Sequence, residues 1–133
     1  MFAVDGSPLV GDEEMYRLRV QSRFDAAHKL VGYEGKCSRL HGHTWNVEVF
    51  VIGEDLDKTG ILLDFRTLKE KVKEITKRLD HSYINELEEI GNPTSENIAR
   101  YIYQNLSGLP ANIRLEKVRV WESPDSWSEY LQS

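Results

Sequence analysis

From Tyr16 the even positions Tyr16, Leu18, Val20, Ser22, Phe24, Ala26 and His28 oppose the odd positions Arg17, Arg19, Gln21, Arg23 and Asp25. That period-two alternation predicts a half-buried strand with His28 closing its apolar face. The segment KLVGYEGKCSRL, with two glycines and mixed polarity, reads as a loop, and HTWNVEVFVIG then alternates again. His43, Trp45, Val47, Val49 and Val51 share one face, and His41 joins them if strand geometry reaches back across Gly42. Asp64 has the character of a helix N-cap, with Phe65, Leu68, Val72, Ile75 and Leu79 forming an amphipathic stripe behind it. Thr94, after Pro93, starts a second helix with Glu96 in its first turn and Ile98, Ile102 and Leu106 directed inward before Gly108.

The segment IRLEKVRVWES returns to strand character, but its apolar parity moves from Ile113 and Leu115 to Val118 and Val120, as a bulge near Glu116 produces. The second phase carries Glu122 onto the core face. A last short strand through Trp127 and Tyr130 completes a β-β-α-α-β-β order. The fold class is therefore α+β, a four-stranded antiparallel sheet covered on one face by two helices. Residues 1–13, with Gly6, Pro8 and Gly11 and no periodicity, are expected to be a loose arm, leaving residues 14–133 as one domain.

Composition narrows the function. A chain of 133 residues, 40% hydrophobic and 29% charged, makes one core and calls for one site. A formal net charge of -5 gives no general attraction to nucleic acid or anionic membrane, so a phosphate-bearing ligand requires a local cluster of cations. The single Cys37 cannot form an internal disulfide, and no apolar run has the length of a signal peptide or a membrane span. These features point to a cytoplasmic protein with a small soluble ligand.

The chemistry concentrates on histidine. In an HxH on a strand, His41 and His43 share a face, and pairing with the preceding strand brings His28 beside them. Three neutral imidazoles with a vacant fourth position are the pattern of a catalytic zinc site. Cys37, four positions before His41, leaves two readings open. As a fourth ligand it makes the site a closed structural zinc in a non-catalytic module; free, its thiolate is available for proton transfer. Asp80 and His81 are adjacent at the end of the first helix, where a carboxylate can orient a general acid or base; the plain alternative is a polar helix-terminal turn. Glu122, a carboxylate at the end of an apolar face, must find partners there or else be a solvent-facing strand end. Lys36 and Arg39 are the local cations nearest the thiol.

Taken in order, FDAAH, CSRLHGH, LLDFRTLK, LDHSYIN, NPTSENIA and WES resemble the 6-pyruvoyl-tetrahydropterin synthase superfamily from about Tyr16 to Glu122. The short spacing from Cys37 to HGH is most similar to its 6-carboxy-tetrahydropterin synthase branch, of queuosine biosynthesis. The resemblance implies zinc on His28, His41 and His43, Cys37 as the proton-abstracting base and Asp80 with His81 as a second relay. It implies Glu122, Thr94 and Ser95 as pterin anchors. It further implies the tunnelling fold, its sheets joined into a barrel in a hexamer of two stacked trimers with sites between subunits. The implied reaction converts 7,8-dihydroneopterin triphosphate to 6-carboxy-5,6,7,8-tetrahydropterin, releasing acetaldehyde and triphosphate, with the pyruvoyl-forming reaction as the alternative within the family. Lys36 and Arg39 are then expected to meet the triphosphate.

Overall fold

The computed structural model of the protein describes residues 14–35 and 38–133, so the expected arm at residues 1–13, and Lys36 and Cys37, lie outside the described residues. Strand β1 (Tyr16–His28) pairs antiparallel with β2 (His41–Gly53) along its whole length. Helix α1 (Phe65–Leu79) follows, then a two-residue strand β3 (Ser82–Tyr83), a 3-10 turn (Ile84–Glu86), helix α2 (Ser95–Asn105), and β4 (Ile113–Ser123) with β5 (Ser126–Leu131). The sheet order is β3-β1-β2-β4-β5. The sheet thus has a fifth strand beyond the four expected. β3 runs parallel to β1 and pairs only with Ala26 and Ala27. Two residues are too few to show a period, which is why the alternation could not reveal them.

Both helix starts form as their sequences require. The Asp64 carboxylate accepts the Arg66 N–H at 2.8 Å, and the Thr94 hydroxyl accepts the Asn97 N–H at 3.1 Å, each satisfying a donor that the first helical turn leaves free. Both helices lie over the face formed by even β1 and odd β2 positions. Phe24, Trp45, Val47, Val49, Val118 and Val120 there meet Leu68, Val72, Ile75, Ile98 and Ile102 in one core. The change of parity in the third long strand is a true bulge. Leu115 pairs with Val51 and Lys117 with Phe50, leaving Glu116 without an opposite residue.

The other face of the sheet is polar but not open. The Glu48 carboxylate is almost wholly buried and accepts hydrogen bonds from Arg19 and from the Trp121 indole, with Arg119 at 3.5 Å. Arg119 bonds Glu129 at 2.7 Å and lies over the Trp127 ring, and Phe50 is flanked by Lys117 and Arg119. Burial opposes charge on Glu48. The hydrogen bonds from Trp121 and Arg19 and the two arginine charges outweigh it and hold the carboxyl below its usual range. Glu48→Ala strands the indole N–H and removes a counter-charge from Arg119. It is expected to lower the unfolding free energy by about 1–3 kcal/mol, a magnitude tempered because Arg19 can rehydrate. Urea denaturation followed by tryptophan fluorescence measures this; an unchanged midpoint would mean the network adds no net stability.

Candidate metal centre

The β1–β2 ladder places His28 opposite His41 and Ala26 opposite His43. Since side chains alternate across a strand, His28, His41 and His43 emerge on one face at one end of the sheet. Glu122 reaches the same place from β4, at an irregularity where Trp121 pairs with Trp127 and Ser123 with Ser126 while Glu122 has no opposite residue. One ligand atom from each of His28, His41, His43 and Glu122 falls within 4.8 Å of all the others.

The hydrogen bonds decide which nitrogens are available. His28 Nδ1–H donates to the Pro93 carbonyl at 2.8 Å and His41 Nδ1–H donates to the Arg39 carbonyl at 2.6 Å. Carbonyl oxygens only accept, so in the neutral rings both protons sit on Nδ1 and both Nε2 atoms carry bare lone pairs. Those two Nε2 atoms are 3.0 Å apart. Two acceptors cannot bond to one another at that distance; a positive species bound by both satisfies them. His43 Nε2 is buried and has no hydrogen-bond partner among the described residues, with Glu122 Oε1 3.4 Å away. Trp45 packs edge-on against both His28 and His43, forming an apolar wall. Nitrogen donors oriented by carbonyls on their far side, gathered round a buried, unpartnered nitrogen, suit a metal cation.

Where the remaining expected residues lie is mixed. Thr94 and Ser95 directly follow Pro93, whose carbonyl orients His28, so they border the cluster. Ser95 is buried, its hydroxyl 2.5 Å from that of Ser128 and 2.9 Å from Glu96 Oε1. Asp80 and His81 do form a pair, carboxylate to Nδ1 at 2.9 Å. Asp80 accepts the Asp25 N–H and His81 N–H donates to the Asp25 carbonyl at 2.6 Å, with His81 at a φ of 56°. That attachment holds them at the outer edge of β1, the edge away from β2, and the His81 side chain is 81% exposed. A single copy does not bring this pair to the histidine cluster.

Sequence reasoning missed the residues that hold the cluster's surroundings. Beyond His28 the chain leaves the ladder, and two side-chain amides take over the work of a neighbouring strand. Asn85 accepts from Lys29 N–H and donates to its carbonyl, at 2.8 and 2.7 Å, and Asn92 does the same to Val31, at 2.9 and 3.0 Å. Their types carried no signal, because an asparagine in a loop is ordinarily a turn former. Burial, foremost, pushes the pKa of His28 and His43 below the ordinary histidine value, with the Glu122 carboxylate opposing it. In the metal-free fold they are neutral where the unfolded chain already binds protons, below about pH 6.5. The fold then holds fewer protons than the unfolded chain, so stability is lost as pH falls from that value through the depressed range. The thermal midpoint of chelator-treated protein is expected to fall below about pH 6.5, before carboxylates protonate near 4.5. A flat profile between those values would contradict the assignment of neutral imidazoles.

Comparison with known proteins shows what the chain is similar to. The family model of 6-pyruvoyl tetrahydropterin synthase matches residues 17–133. A Synechocystis protein described as 6-carboxy-5,6,7,8-tetrahydropterin synthase is 37% identical over 124 residues, covering 88% of this chain and 94% of that one. A Pyrococcus furiosus protein described as dihydroneopterin monophosphate aldolase is 39% identical over 107 residues, 80% of this chain and 89% of the relative. The structure of Caenorhabditis elegans 6-pyruvoyl tetrahydropterin synthase superposes with a TM-score of 0.78 at 27% identity, covering 90% of this chain and 97% of that one. The match spans both strands that carry the histidines, both helices and the strand that carries Glu122, and by it the chain belongs to the 6-pyruvoyl tetrahydropterin synthase family.

Proposed function

We propose that the protein is a zinc-dependent lyase that converts 7,8-dihydroneopterin triphosphate and water to 6-carboxy-5,6,7,8-tetrahydropterin, acetaldehyde and triphosphate, a reaction of queuosine biosynthesis in the cytoplasm. The observation that carries this reading is the set of three ring nitrogens that no hydrogen-bond donor among the described residues reaches, at the end of the β1–β2 ladder, in the fold of this family. Similarity to relatives named 6-carboxy-5,6,7,8-tetrahydropterin synthase supports the product. When bound, zinc on His28, His41 and His43 supplies Lewis-acid stabilisation of substrate oxygens. The chain's own residues do the rest. The Pro93 and Arg39 carbonyls fix the imidazole tautomers. Glu122 accepts the ring N–H and amino group of the pterin, a two-donor edge that suits one carboxylate, and Thr94 and Ser95 border it at the start of α2. Cys37, as thiolate, takes a proton from the substrate side chain. His81 moves the other: Asp80 engages its Nδ1, leaving Nε2 free to give or accept.

Because Asp80 and His81 are held at the outer edge of β1, outside the group of His28, His41, His43 and Glu122, we propose that they serve the cluster of a neighbouring copy, within a hexamer. Cys37→Ala and His81→Ala proteins, each inactive alone, are expected to recover activity when unfolded together and reassembled. Recovery no greater than the sum of the separate samples would place all the machinery in one copy.

The product test is direct. Purified protein with dihydroneopterin triphosphate is expected to yield acetaldehyde and a carboxypterin by mass, and chelator should abolish both. A pyruvoyl product would favour the alternative activity of this family. Turnover of dihydroneopterin monophosphate alone would favour the aldolase activity for which the Pyrococcus furiosus relative is named. Cys37→Ala is expected to retain zinc and lose activity; loss of zinc with the thiol would instead make the site a structural one.

A further inference from the structure

His28 is the most deeply buried of the three imidazoles, and which of its nitrogens faces the cluster is decided by one acceptor, the Pro93 carbonyl. A carbonyl in a loop holds a ring only as firmly as it is itself held, and two dihedrals set where Pro93 points its oxygen. The pyrrolidine ring fixes φ. The Thr94 N–H donates to the Asn92 carbonyl at 2.8 Å, the i to i+2 bond of a γ-turn centred on Pro93, and this fixes ψ. The Asn92 carbonyl also accepts the Asn97 side-chain amide at 2.8 Å, while the Thr94 hydroxyl caps the Asn97 N–H at 3.1 Å. Both chain neighbours of Pro93 are therefore tied to the first turn of α2.

The Asn92 side chain closes a circuit. Its amide accepts the Val31 N–H at 2.9 Å and donates to the Val31 carbonyl at 3.0 Å, three residues beyond His28. From His28 the path runs along the chain to Val31, across to Asn92, on to Pro93, and back through the Pro93 carbonyl to the ring. The acceptor that orients the ring is thus fastened to the same stretch of backbone that carries it, so the two cannot shift independently. Asn85 offers the contrast. It grips Lys29 with the same pair of bonds, at 2.8 and 2.7 Å, but neither it nor its chain neighbours bond a histidine of the cluster among the described residues. Resting on the reading of a metal at this cluster, we infer that Asn92 is a positioning residue of the metal centre: it holds the Pro93 carbonyl so that His28 keeps its proton on Nδ1 and presents Nε2 to the cation. Asn97 supports it from α2, and the start of that helix, with Thr94 and Ser95, is thereby fixed relative to the ligand.

Two readouts on the full-length protein, both without any pterin, test this. Zinc affinity is measured by competition with a chromophoric chelator, and the ring-nitrogen NMR spectrum of the zinc-free protein reports which nitrogen of His28 carries the proton. Asn92→Ala is expected to weaken zinc binding by at least about tenfold and to let the His28 proton divide between its two nitrogens. Asn85→Ala removes an equal clasp and is expected to leave zinc affinity within about twofold and the Nδ1–H form intact, even where urea denaturation shows a similar loss of stability. Asn97→Ala is the second variant, with the Val31 clasp in place: it takes one of two donors from the Asn92 carbonyl and is expected to weaken zinc by at least about threefold. Equal weakening by Asn92→Ala and Asn85→Ala would mean that the clasps serve stability alone and would overturn the role. So would unchanged zinc affinity in Asn92→Ala or, if that protein does not fold, in Asn97→Ala. Zinc binding as expected across the variants of a protein that forms no carboxypterin would keep the role and reject the lyase. Unweakened zinc binding in the Asn92→Ala form of an active lyase would do the reverse.

Discussion

The register of β1 against β2 is the constraint on which everything else depends. Pairing His28 with His41 sets three imidazoles on one face, and a slip of one residue would turn those of one strand to the opposite side of the sheet. What prevents the slip is the same set of apolar side chains that makes the core: Phe24 opposite Trp45, Val20 opposite Val49, both pairs buried. Core packing and ligand placement are therefore one specification written along thirteen residues of each strand. Nothing separate is needed to align the donors.

This explains why so much could be read from the amino-acid order. Alternation exposed both long strands and hence the histidine face. Asp64 and Thr94 marked helix starts because their side chains satisfy donors that local geometry alone leaves free, and the bulge at Glu116 appeared as a change of parity. Each is a local rule acting within a few residues. What escaped depends on pairs distant in sequence. The Pro93 carbonyl that orients His28 lies 65 residues away, and β3 is a strand only through its pairing with Ala26 and Ala27, next to the His81 N–H bond to the Asp25 carbonyl. The adjacency of Asp80 and His81 suggested their pairing, but their place at the outer edge of β1 is decided by that distant attachment. The resemblance supplied residue roles, and geometry supplied the separation between them.

The two faces of the sheet use polar groups in opposite ways. At the histidine end, nitrogen lone pairs are left unsatisfied by the described residues, a costly arrangement in a buried place that a cation would relieve. On the far face, Glu48 is engaged by Arg19, Trp121 and Arg119, and charge there is closed upon itself. Reactive and inert polarity thus lie back to back across a single layer of backbone. The unfilled valences of the first are tolerable because the second, and the apolar core, hold the layer in place.

The amides of Asn85 and Asn92 grip the backbone of Lys29 and Val31 and ignore their side chains. A segment tethered in this manner keeps its path whatever its side chains become. The stretch immediately after His28 is therefore free to diversify, residue by residue, while the histidine stays where it is. A changeable surface thus stands beside a fixed one, and side chains there can be exchanged without first displacing the histidine cluster.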